Sequence, residues 1–94
     1  MRLRRTPLAA RQLESAYEYV ARDSPRAADE TIDRILLAVE VLERYPEIGR
    51  NGRVPRTREL VVTGTPFVVA YRVRTEQVEI LAVLHAARRW PERL

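Results

Sequence analysis

The chain has 94 residues, no cysteine, one histidine and no lysine, and its 17 arginines against 13 acids give a formal net charge of +4. This excludes disulfides, cysteine-based zinc centres, Schiff-base lysines and a phosphate-loop lysine, and a lone imidazole does not build a His-rich metal site. At this length residues 1–94 are read as one domain that buries roughly 60–65% of the surface its unfolded chain exposes.

Residues 2–5 have the length of a short strand. Thr6-Pro7 is a helix start: Thr6 caps, and Pro7 sits where its missing N–H costs nothing. Leu13, Ala16, Tyr17, Val20 and Ala21 follow at helical spacing, and Ser24-Pro25 repeats the start signal, so the first helix stops near Arg22-Asp23. In the second helix Ala28, Ile32, Ile35, Leu36, Val39 and Leu42 form one apolar stripe. Glu30/Arg34 and Glu40/Arg44 stand four apart in the favourable order, and Pro46 ends the helix. A link this short predicts an antiparallel helical hairpin.

Residues 46–58 lose periodicity, and Pro46, Gly49, Asn51-Gly52 and Pro55 mark turns, which predicts a basic loop. Strand spacing follows in Leu60 to Val62, Phe67 to Val73 and Val78 to Leu84, the last two joined as a hairpin through Arg74–Gln77. Their near-continuous apolarity predicts central strands. The tail, Ala86 to Leu94, is short and basic, with room for one helical turn before Pro91. Helices first and strands afterwards predict an α+β fold: an N-terminal helical hairpin packed on a small antiparallel sheet.

The basic excess is local. Residues 1–49 carry eight Arg and nine acids, residues 50–58 carry Arg50, Arg53, Arg56 and Arg58 with no acid, and residues 59–94 carry five Arg and four Glu. Such a patch fits an anionic partner, nucleic acid or acidic protein, or else a solvated loop. Arg72, mid-strand among Val69, Tyr71 and Val73, requires a carboxylate, with Glu79 or Glu59 within reach. Trp90 suits a stacking platform, a partner anchor or a packed edge residue. His85 is the one group that works as a base near neutral pH. Beside Arg88 and Arg89 it has the elements of RNA cleavage, a proton carrier and phosphate-stabilising cations. Otherwise it is a strand-end histidine bonded to backbone. No apolar run reaches the roughly 20 residues of a membrane helix. The N-terminus lacks the apolar stretch of a secretion signal. A cytoplasmic protein with no membrane, metal or cofactor dependence is expected.

Three segments carry a resemblance: Arg58-Glu59-Leu60-Val61-Val62; Phe67-Val68-Val69-Ala70-Tyr71-Arg72-Val73; and Val78-Glu79-Ile80-Leu81-Ala82-Val83-Leu84-His85-Ala86-Ala87-Arg88-Arg89. Together with the leading hairpin and the Pro46–Arg50 turn they resemble the RelE/ParE superfamily of bacterial toxins along nearly the whole chain. The resemblance implies a type II toxin silenced by a cognate antitoxin whose C-terminal segment folds onto it, in a hetero-oligomer. RelE-like members cut mRNA on the ribosome; ParE-like members poison DNA gyrase without established hydrolytic chemistry. This chain lacks the lysines of the ribonuclease branch. It reads Gly64-Thr65-Pro66-Phe67-Val68 where many RelE-like members place an Arg, and Trp90-Pro91 where a tyrosine follows. Only His85, Arg88 and Arg89 remain of an RNA-cutting set, while Leu84-His85-Ala86-Ala87-Arg88-Arg89 resembles the ParE-like ending. The resemblance therefore implies ParE-like gyrase inhibition, with ribosome-dependent mRNA cleavage as the alternative, and leaves open whether the chain is an enzyme. The residues expected to meet target or antitoxin are Arg50, Arg53, Arg56, Arg58, Arg72, Arg88, Arg89 and Trp90.

Overall fold

The computed structural model describes residues 1–88, Trp90 and Leu94. The elements follow in the order β1 (Arg2–Arg5), α1 (Pro7–Ala21), α2 (Pro25–Arg44), β2 (Arg50–Asn51), β3 (Arg58–Val61), β4 (Phe67–Arg74) and β5 (Gln77–His85). Both helices begin as the capping residues require. The Thr6 hydroxyl accepts from the Ala9 N–H and the Ser24 hydroxyl from the Ala27 N–H, each at 3.1 Å, with proline in the first turn. Thr6 also donates to the Leu81 carbonyl at 3.0 Å, which ties the start of α1 to β5.

The five strands form one sheet in the order β1-β5-β4-β3-β2. It is mixed rather than antiparallel as expected: β1 runs parallel to β5, and the other neighbours are antiparallel. The α1–α2 hairpin returns the chain to the side on which it began, so the last strand can align with the first. The basic loop also contributes a strand, because Arg50 and Asn51 pair with Glu59 and Arg58. As the apolar runs predicted, β4 and β5 are central. The β4–β5 turn places Glu76 at φ 59°, and a bulge near Ala70/Tyr71 lets Leu81 stand unpaired in the ladder. In the β3–β4 connection Gly64, at φ 80°, takes the left-handed position.

The two sheet faces divide the molecule. Phe67, Val69, Tyr71, Val78, Ile80 and Val83 pack against Ala9, Ala16, Ile35, Val39 and Leu42 of the hairpin. Burying such side chains contributes roughly 1.5–3 kcal/mol each. The opposite face carries Val68, Ala70, Leu81 and Ala82, also buried, with Val54 of the loop packed at its margin. Neither expected helix-surface ion pair closes: Glu30 meets Arg26 at 3.6 Å, and Arg34 donates to the Thr63 carbonyl at 3.3 Å. The described part of the tail is turn, not helix, closed by the Arg88 N–H donating to the His85 carbonyl. No helix among the described residues is long and apolar enough to cross a membrane.

Candidate functional site

The loop arginines are anchored to different degrees. Glu59, 3% exposed, lies under the loop. One carboxylate oxygen accepts from Arg50 Nε and Nη2 at 3.2 and 3.0 Å; the other accepts from the Arg53 backbone N–H at 2.7 Å and faces Arg53 Nε at 3.7 Å. A buried carboxylate requires such partners, and Glu59 thereby fixes the loop to the sheet. Arg58 donates to the carbonyls of Glu47 and Gly49 at 3.2 and 2.9 Å. Gly49 is buried, and its N–H donates to Tyr71 Oη at 2.8 Å. A methyl group on Gly49 would meet that oxygen at 2.5 Å, so only glycine admits the contact. Burial holds the Tyr71 hydroxyl above its ordinary pKa, partly offset by the Gly49 N–H and the Arg58 charge.

Arg56 differs from its neighbours. It follows Pro55 at φ 64°, in a turn closed by the Thr57 N–H donating to the Val54 carbonyl at 3.2 Å. Its side chain bonds to no other described residue, and it lines surface grooves with Arg72 and Arg74.

Arg72 finds the carboxylate that its position required. Glu79 Oε1 accepts from Arg72 Nε at 2.6 Å and from Arg74 Nε at 3.1 Å. The Arg72 hydrogen bond, with the charges of Arg72, Arg74 and Arg4, holds Glu79 below the ordinary carboxylate range. Arg74 and Arg4 escaped the sequence reading, although the alternation Arg2, Arg4 and Arg72, Arg74 was visible as two i, i+2 pairs.

His85 ends β5 in a cleft of about 240 Å³ lined also by Gln12, Ser15, Tyr19, Phe67 and Arg88. Its ring stands edge-on to Phe67 and Tyr19, with centroids 5.6 and 6.0 Å away. Nδ1 accepts the Ala87 N–H at 3.1 Å. The neutral ring therefore carries its proton on Nε2, and Nδ1 is committed to the backbone. Arg88 lies over the Tyr19 ring at 4.8 Å. The cleft thus brings His85 and Arg88 together; Arg89 lies outside the described residues. Trp90 is not among the residues lining this cleft; the Arg53 guanidinium lies 3.8 Å over its ring. Among the described residues no group of three or more His, Asp or Glu could hold a metal ion.

A groove beside the hairpin, open to an amphipathic partner helix, is expected of this fold, and the structure places one on residues that the sequence did not single out. Leu37, Val41, Tyr45, Ile48 and Val61 are exposed. All but Tyr45 line a groove of about 320 Å³ between α2 and β3, with Arg34 at its margin. Beyond Glu59 no described strand pairs with the outer edge of β3. The i, i+4 series Leu37, Val41, Tyr45 was the available signal, displaced on α2 from the core stripe.

The comparisons with known proteins agree with this architecture. A family model described as "ParE toxin of type II toxin-antitoxin system, parDE" matches residues 3–90. "Putative toxin Y4kP" of Sinorhizobium fredii is 43% identical over 91 residues, covering 97% of this chain and 94% of the relative. "Toxin RelE2" of Caulobacter vibrioides is 38% identical over 80 residues, covering 85% of this chain and 89% of the relative. A solved structure described as "Chromosomal ParDE TA system from P. aeruginosa" superposes with a TM-score of 0.81 at 30% identity, over 90% of this chain and 95% of that one.

Proposed function

This chain belongs to the ParE toxin family of type II toxin–antitoxin systems, and from that membership we propose that it inhibits DNA gyrase in the cytoplasm by binding, as one compact domain. The observation that carries the reading is the family match along nearly the full chain. The His85 environment supports it: Nδ1 is held by backbone and the ring is wedged between two aromatics, an arrangement that suits packing. The test is a supercoiling assay with purified toxin. Inhibition of supercoiling, or accumulation of gyrase–DNA cleavage complexes, is expected. Unimpaired gyrase with mRNA cut at codon boundaries overturns the reading.

Ribosome-dependent mRNA cleavage is the second reading, favoured by the shared cleft of His85 and Arg88. It requires His85→Ala to lower cleavage about 10²–10⁴-fold. Gyrase inhibition requires the same variant to stay within about twofold of the parent, since the imidazole then moves no proton.

An antitoxin is the partner that the family brings, and the α2–β3 groove is where we place its docking. An amphipathic segment can lay its apolar face on Leu37, Val41, Ile48 and Val61 and extend along the unpaired edge of β3. Ordering such a segment is offset by apolar burial, which this surface offers.

A further inference from the structure

The charge of the molecule divides along its layers. Residues 6–49, the hairpin and its exit turn, carry five Arg and nine acids, a net of −4; residues 1–5 and 50–88, the strands and their connections, carry ten Arg and three Glu, a net of +7. The strand register concentrates part of that excess. β1, β5 and β4 lie side by side, and paired residues project to the same face. One row across them reads Arg4, Glu79, Arg72, and the next reads Arg2, Gln77, Arg74. Four arginines thus frame one carboxylate on the face opposite the helices, and Arg56 joins them from the loop.

We propose that this arginine-framed face binds the phosphate backbone of duplex DNA. Glu79 engages Arg72 and Arg74 through Nε, so the carboxylate orients both side chains without consuming their terminal N–H groups. Both side chains remain substantially exposed, at 37% and 58%. The set keeps an excess of four positive charges, and planar forks of this kind match phosphate oxygens. Arg56 adds a second sign. Its φ of 64° is a conformation that favours glycine, yet a long cation stands there, bonded to no described residue.

The choice of a nucleic acid over an acidic peptide follows from what the face lacks among its described residues. An acidic segment that folds on binding needs apolar burial to offset its ordering, and that surface lies at the α2–β3 groove. A rigid polyanion needs no such compensation, because counterion release drives its binding. The rows Arg4–Glu79–Arg72 and Arg2–Gln77–Arg74 also present no aromatic ring for stacking an unpaired base. The inference rests on the gyrase reading only for the choice of DNA as the duplex.

The test is fluorescence anisotropy of a short labelled DNA duplex with purified toxin, across about 50–200 mM salt. Binding is expected to weaken with salt at a log–log slope near −4, as roughly four or five neutralised phosphates require. Arg4→Gln with Arg74→Gln should reduce the slope by about two and the affinity at least tenfold, and Arg56→Gly should reduce the slope by about one. Arg26→Gln on the hairpin should change neither. Absence of salt-dependent binding, equal slopes in all variants, or tighter binding of poly-glutamate or single-stranded RNA than of the duplex overturns the proposal. The supercoiling assay separates the two ideas. Gyrase inhibition without any binding of DNA alone overturns the arginine face and leaves the gyrase reading standing. Binding of DNA with gyrase untouched does the reverse.

Discussion

Tyr71 and Glu59 show how single side chains hold the basic loop in place. Tyr71→Phe removes the acceptor of the Gly49 N–H, a buried donor, and should cost about 1–3 kcal/mol in chemical denaturation. Gly49→Ala should cost about as much through overpacking against the same ring. Arg56→Gly acts in the other direction. It relieves a left-handed backbone, so stability should stay level or rise by up to about 1 kcal/mol. Two groups set the pH response. Tyr71 has a raised pKa in the fold, so its contribution is complete below its ordinary value of 10.0 and is lost as pH climbs through the folded value. Glu79 has a lowered pKa, so its contribution is complete above its ordinary value of 4.5 and is lost as pH falls through the folded value. Thermal melts from acid to alkaline pH should therefore decline at both ends, and Glu79→Gln should flatten the acid limb.

Among the elements, α2 has two apolar stripes with different roles. Ala28, Ile35, Val39 and Leu42 are buried, while Leu37 and Val41 face outward. Leu37, at 61% exposure, is already in water, so Leu37→Asp with Val41→Asp should shift the melting midpoint little. The same pair should weaken antitoxin binding by at least about tenfold, since two apolar anchors become charges in an apolar groove. Co-expression with the antitoxin would then no longer rescue growth, and isothermal titration would give the affinity loss. Unchanged neutralisation would place the antitoxin elsewhere. The helix boundaries were legible because proline after Thr6 and Ser24 has few other meanings. The split into two stripes was less so, because a helix that is apolar over more than half its circumference does not declare which part meets the sheet.

The protein as a unit is electrically polarised, acidic on the hairpin and basic on the sheet. Hairpin before strands, caps at Thr6 and Ser24, and long β-branched runs were sufficient to specify an α+β fold with β4 and β5 at its centre. These signals are local, and local periodicity survives whatever packs against it. The pairing of β1 with β5 and of Arg50–Asn51 with β3 depends on contacts between distant segments that no short window contains. The same holds for the arginines. Sequence proximity grouped Arg50, Arg53, Arg56 and Arg58, but the fold ties Arg50 and Arg53 to Glu59 and Arg58 to carbonyls, and aligns Arg56 with arginines of other elements. Composition and order of residues determine which pieces form and how much charge they carry. Which charges end up paired, and which stand together facing outward, is settled by strand register, because register brings side chains far apart in the chain within a few ångströms.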